Sequence, residues 1–189
     1  AADLVQQILT FSRQSEFKMH PFPIYVEVKQ ALKLLRSTLP SNIEIKTNLV
    51  SKSMVNADPI RIHQIVMNLC TNAYHAMRKT GGCLSVSLSN VEITRTEYKR
   101  EKQIHPGEYI LLEVSDTGTG MGKDILEKAF EPYYTTKKPT QGTGLGLALV
   151  DAIVEEHDGV LDIYSRIGEG TRFYIWFPII KIDNSEDSE

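Results

Sequence analysis

Residues 63–77 read HQIVMNLCTNAYHAM, and this stretch decides the fold. Ile65, Leu69, Ala73 and Ala76 recur three and four apart, the spacing of one face of an α-helix. Asn68 and Asn72 are also four apart, so their amides project together beside that apolar stripe. Asparagine is a mediocre helix former, and two on one stripe ask for a reason. They are either a satisfied polar pair at a helix–loop contact, or side-chain oxygens for a hard cation such as Mg²⁺, which shares its ligands with phosphates. Upstream, Asp58-Pro59 reads as an N-cap followed by proline at the first helical position. Gly81-Gly82 closes the helix, which is predicted to run from residue 59 to about residue 79.

Working outward, residues 26–38 form a second helix with Ala31, Leu32, Leu34 and Leu35 inward, and Pro40 stops it. NIEIKTNL (42–49) alternates as a strand, and a short strand follows near residues 53–56. CLSVSLSNVEI (83–93) is a long alternating strand. The charged stretch 94–108 is predicted as a hairpin excursion turning at Pro106-Gly107. YILLEVSD (109–116) is the central strand, and residues 117–144 form a loop rich in Gly, Thr, Lys and Pro. A helix over residues 145–157 closes at Gly159, and strands 160–167 and 171–178 are joined by Gly168-Glu169-Gly170. At the front, Leu4, Val5, Ile8, Leu9 and Phe11 make an amphipathic helix, ended by Pro21 and Pro23. The predicted fold is α+β, with a mixed, mostly antiparallel sheet and about three helices on one face, preceded by an isolated helix. The organisation is a helix and linker over 1–20, a domain over 21–182, and an acidic disordered tail over 183–189.

Three further blocks carry chemistry. In SDTGTGM (115–121) a strand delivers Asp116 to its end, and Gly118 and Gly120 let the backbone approach a ligand. A carboxylate there can accept from an exocyclic amine such as that of adenine, although a plain turn also explains Asp and Gly. An Asp-Thr-Gly aspartic protease would need a second copy from a symmetric dimer. In GTGLGLALV (142–150), Gly142, Gly144 and Gly146 precede a helix, where free amides and the positive helix end suit a phosphate chain. This is neither the dinucleotide fingerprint, since residue 147 is leucine, nor a P-loop, since no Gly-Lys-Ser/Thr follows. Between these blocks, FEPYYTTKKPTQ (130–141) belongs to a loop long enough to be a lid or binding segment, in which Lys137 or Lys138 could reach a phosphate.

In that order, the paired asparagines, Asp-x-Gly-x-Gly, Phe-Glu-Pro and Gly-x-Gly-x-Gly blocks closely resemble the GHKL ATPases, and within them the sensor histidine kinases of two-component systems. The resemblance runs from about residue 22 to residue 178 and implies the two-layer α/β sandwich called the Bergerat fold. It implies ATP and Mg²⁺ as ligands: Asn72 would coordinate the metal, with Asn68 beside the phosphates and both serving catalysis. Asp116, Gly118 and Gly120 would form the adenine pocket, and Gly142, Thr143, Gly144, Leu145 and Gly146 would cover the triphosphate. His75 or Arg78, with Lys137, would add phosphate contacts. Thr117 stands where relatives carry asparagine, and Asp158 where a glycine follows histidine. The γ-phosphoryl would pass to a histidine on the dimerisation and phosphotransfer domain of the same protein, and then to the aspartate of a response-regulator receiver domain. QILTFSR (7–13) resembles the second helix of that dimerisation domain. The acceptor itself is a histidine followed by an acidic residue on the first dimerisation helix; His63 and His75 belong to the nucleotide-side helix, His157 to a helix end, and His20 and His105 do not fit. Hydrolytic relatives such as gyrase, MutL and the ninety-kilodalton chaperone carry a glutamate as general base where this chain has Asn68, an amide that cannot take a proton. That favours transfer over water attack. A degenerate, non-catalytic docking module is the remaining alternative.

Composition agrees. A formal charge of −3 and a pI near 6.0 give no nucleic-acid footprint. No apolar run reaches the roughly 20 residues of a membrane span, and no signal-peptide layout is present. The expected setting is cytoplasmic, with any membrane anchor upstream and a full-length homodimer. Cys70 and Cys83 each sit in an apolar pattern and are expected to be buried free thiols.

Overall fold

The computed structural model describes residues 18–134 and 144–181. The expected front helix, the acidic tail and the predicted site residues Lys137, Gly142 and Thr143 lie outside the described residues. The elements run β1 (His20–Phe22), α1 (Ile24–Thr38), β2 (Ile43–Leu49), β3 (Val55–Ala57), α2 (Pro59–Met77), β4 (Gly82–Ile93), β5 (Glu97–Lys99), β6 (Lys102–Ile104), β7 (Gly107–Asp116), α3 (Lys123–Lys128), α4 (Gly146–Glu156), β8 (Val160–Arg166) and β9 (Gly170–Pro178). The main sheet has the order β2-β4-β7-β9-β8. Its β2–β4 pair is parallel and the remaining pairs are antiparallel, giving the mixed sheet that the alternating patterns predict.

Period-two alternation sends Leu84, Val86 and Leu88 of β4, Ile110, Leu112 and Val114 of β7, and Phe173, Ile175 and Phe177 of β9 to one face, where all are buried. Onto that face pack Val28, Ala31, Leu32 and Leu35 of α1, Ile62, Ile65, Leu69 and Ala73 of α2, and Val150, Ile153 and Val154 of α4. One continuous core therefore lies between a helix layer and a sheet, the two-layer sandwich expected.

The alternation has one consequence for function. The inward set of β7 runs Ile110, Leu112, Val114 and then Asp116, so register alone drives a carboxylate into the layer between sheet and helices.

Four predicted features are corrected; the first is Leu34, read as inward but 48% exposed on the outer side of α1. The excursion between β4 and β7 does contain a hairpin, but it turns at Arg100-Glu101, where both residues have positive φ (48° and 69°). Pro106-Gly107 instead leads into β7. The loop predicted over 117–144 contains α3, a helix too short to show an apolar period. Cys83 is half-buried rather than buried, because it falls on the outward phase of β4. Cys70 is buried in α2, and burial pushes its thiol up to about 12. Among the described residues, no helix is long and apolar enough to cross a membrane.

His157, 3% exposed, ties the end of α4 to the start of α2. The Asp58 amide donates to its Nε2 at 3.1 Å, so Nδ1 carries the proton and donates to the Ile153 carbonyl at 2.8 Å. Both ring nitrogens are thus engaged and the ring is buried. Burial lowers its pKa, against the Ile153 hydrogen bond and the Asp58 charge, which raise it. The unfolded chain thus binds the proton more readily, so stability should fall as pH drops below the ordinary histidine value of about 6.5. Thermal melts from about pH 7 to about pH 5 should show a steeper loss for the wild type than for His157→Gln. Parallel curves would refute this assignment.

Candidate nucleotide site

The site is assembled where α2, the end of β7 and the start of α4 converge. Helix α2 supplies the floor. The Asp58 carboxylate caps it by accepting from the Ile60 amide at 2.9 Å, and Pro59 occupies the first turn. Asn68 and Asn72 are half-buried beside the buried stripe. The Asn68 Nδ2 donates to the Gln64 carbonyl at 2.9 Å, which fixes the amide and turns its oxygen outward. That oxygen lies 3.1 Å from the point where a β-carbon on Gly146 would sit. Glycine at 146 therefore keeps the asparagine carbonyl open at the first turn of α4. Leu145, the N-cap of α4, gives no side-chain capping bond, and no acidic residue occupies the first turn. The amides there keep their capacity for an anion.

The opposite wall is the loop after β7. The Asp116 Oδ1 accepts from the Gly118 amide at 2.8 Å. Gly118 lies so close to α2 that a β-carbon would be 2.8 Å from the Ala76 carbonyl carbon, and the Thr119 amide donates to the Ala76 carbonyl at 3.2 Å. Gly120 takes φ +64°, where a β-carbon would fall 1.8 Å from the Arg166 carbonyl oxygen. Asp116 is 9% exposed, and burial raises its pKa, while bonds from the Gly118 and Thr171 backbone lower it. Thr117, at the position where asparagine was expected, ties β7 to β4 by accepting from the Cys83 amide at 2.9 Å.

The β8–β9 turn, which the sequence offered only as a connection, belongs to this wall. Thr171 pairs with Asp116 across the sheet and is itself buried. The Gly168 amide donates to the Thr119 carbonyl at 2.8 Å, and the Ser165 hydroxyl accepts from the Met121 amide at 2.8 Å. The available signal was a small polar residue directly after Gly168-Glu169-Gly170, in register with a buried carboxylate.

The structure thus brings Asn68 to Gly146 and Asp116 to Gly118, and places Asn72 and His75 further along the same helix. His75 is half-buried, its ring 5.4 Å from that of Tyr74. Gly144 takes φ +69° and its carbonyl accepts from the Tyr133 amide at 3.0 Å, leading the chain into α4. Among the described residues no cluster of His, Cys, Asp and Glu could hold a metal unaided.

Residues 57–181 match the family profile of histidine kinase-, DNA gyrase B- and HSP90-like ATPases. The chain belongs to this family. The sensor kinase CckA of Brucella abortus is 33% identical over 190 residues, covering 100% of this chain and 20% of that protein. The sensor histidine kinase ZraS of Salmonella typhimurium is 36% identical over 126 residues, 67% of this chain and 23% of its own length. The chain therefore spans about a fifth of these curated relatives. Among solved structures, full-length ShkA in complex with AMPPNP superposes with a TM-score of 0.72 at 25% identity, over 95% of this chain and 36% of that one. The mycobacterial sensor histidine kinase MprB, at 24% identity and a TM-score of 0.67 over 87% of this chain and 100% of its own, shares the fold.

Proposed function

We propose that this domain binds Mg-ATP between α2, the Asp116 loop and α4, and donates the γ-phosphoryl to a histidine on a dimerisation domain of the same protein. A response-regulator aspartate would then receive it. The observation that carries the reading is the meeting of Asn68 with Gly146. It joins a fixed amide oxygen to an uncapped helix start, on the same helix α2 that the loop of the buried Asp116 carboxylate packs against at Ala76.

Asp116 would accept the adenine amine, and Gly118 and Gly120 would let the base lie against backbone. The amides opening α4 would take phosphate oxygens. Asn72 would offer an oxygen ligand to Mg²⁺, with Asn68 and His75 beside the phosphates; when bound, the ion neutralises phosphate charge. The protein's part is positioning and charge compensation. Asn68 cannot act as a general base, which disfavours activation of water and favours transfer to an imidazole, itself a competent nucleophile.

Calorimetric titration tests the binding step. ATP should bind at or below about millimolar concentration when Mg²⁺ is present, and Asn72→Ala should weaken it about tenfold while leaving adenosine unaffected. No binding at millimolar nucleotide would refute the reading, and so would an unaltered Mg²⁺ dependence in the variant.

A further inference from the structure

We propose that Arg100, at the tip of the β5–β6 hairpin, is a positioning residue that sets the seating of α4 and thereby the phosphate end of the nucleotide site. This rests on the nucleotide-site reading above. The hairpin straddles the free edge strand β8. On the outer sheet face, Ile104 packs with Val160 and Trp176, and the Lys99 ammonium lies 5.4 Å from the centroid of the Trp176 ring. At its tip the same hairpin reaches the helix layer. The Arg100 guanidinium stacks 3.5 Å from the centroid of Phe130 and donates to Asp151 of α4 at 3.2 Å. Lys102 pairs with Asp151 at 3.3 Å and with Glu155 at 2.5 Å.

Two observations make this more than surface pairing. A two-residue turn with positive φ at both positions normally uses Asn-Gly, yet here Arg and Glu occupy it at φ 48° and 69°. The strained position is kept by a residue whose side chain is engaged by Phe130 and Asp151. Second, α4 is short: Val150, Ile153 and Val154 are its buried residues, with Leu147 and Leu149 packed beside them and His157 tying its end to α2. Its outward charges, Asp151 and Glu155, meet the hairpin's cations, which fix its rotation about its own axis. That rotation sets where Gly146 stands against the Asn68 oxygen, which lies 3.1 Å from where a β-carbon at residue 146 would sit. Phe130, packed on the core, anchors the far side of the guanidinium.

The test compares two ligands on the whole chain: ATP with Mg²⁺, which uses both ends of the site, and adenosine, which uses only the Asp116 end. The double change Arg100→Asn with Glu101→Gly relieves the turn while deleting the guanidinium, so the hairpin is retained. It should weaken ATP about tenfold, the scale of one lost half-buried cation–π contact, and leave adenosine unchanged. Arg100→Lys, which keeps the charge and loses the planar stack, should fall between the double variant and the wild type. Unaltered ATP affinity in the double variant would overturn the proposal, as would equal weakening of ATP and adenosine, which would make Arg100 a support of the fold. If the wild type binds neither ligand, the nucleotide-site reading fails before any variant is compared, and this inference fails with it.

Discussion

Asp116→Asn is expected to weaken ATP binding about 100-fold while leaving the melting temperature within a few degrees of the wild type. Donors from the Gly118 and Thr171 backbone already converge on this carboxyl, and the adenine amine would add another. Only a group that accepts on every side satisfies them all. Asparagine turns an NH₂ against one of these donors, so the loss combines a charge-assisted hydrogen bond with a mispaired group, about 3 kcal/mol together. Stability should respond differently. Burial raises the folded-state pKa above the unfolded value, so the carboxyl's contribution is fully present below the unfolded pKa and is lost as pH rises through the folded one. At neutral pH the buried charge is a cost, which asparagine removes, and any advantage of the variant should fade on acidification. Calorimetry and thermal melts at two pH values check both halves. Retained ATP affinity, or a collapse of the fold, would contradict the role assigned to this residue.

Gly120→Ala should be among the most damaging single methyls at the described residues, costing about 3 kcal/mol or more and lowering the melting temperature by roughly 6–12 °C. Alanine pays for the left-handed conformation at φ +64°. Its β-carbon would also sit 1.8 Å from the Arg166 carbonyl oxygen and 3.0 Å from that of Gly170, and backbone cannot swing aside as a side chain can. Relief requires the Asp116 loop to part from the β8–β9 turn, which also breaks the Gly168–Thr119 bond of 2.8 Å. Gly168→Ala is the control: it shares a positive φ of 80° but meets no atom within 4 Å, so it should cost only the conformational part. Equal melting temperatures for the two variants would show that the contact at Gly120 does not matter.

The sequence exposed those parts of the site whose chemistry shows in local spacing. The four-residue separation of Asn68 and Asn72 on a capped helix, and the placement of Asp116 at the end of an alternating strand, follow from periods of 3.6 and 2. Parts that depend on tertiary approach were invisible. Nothing local says that Gly146 faces Asn68, because that contact is made by packing α4 on α2. The Arg100-Glu101 turn carries none of the Asn-Gly signal that identifies such turns, since its residues are held by what the guanidinium touches. Trp176 lies on the outward phase of β9 yet is only 7% exposed, because the hairpin folds over it. In each case a long-range contact overrides the local pattern.

The transfer of phosphate to histidine is tested most directly by mixing the chain with a separately made dimerisation domain carrying the acceptor histidine, Mg²⁺ and γ-labelled ATP. The account predicts label on the dimerisation domain that is stable to base and lost in acid, and absent when Asp116→Asn replaces the wild type. Release of free phosphate at the same rate with no labelled protein would contradict it and make the domain a hydrolase.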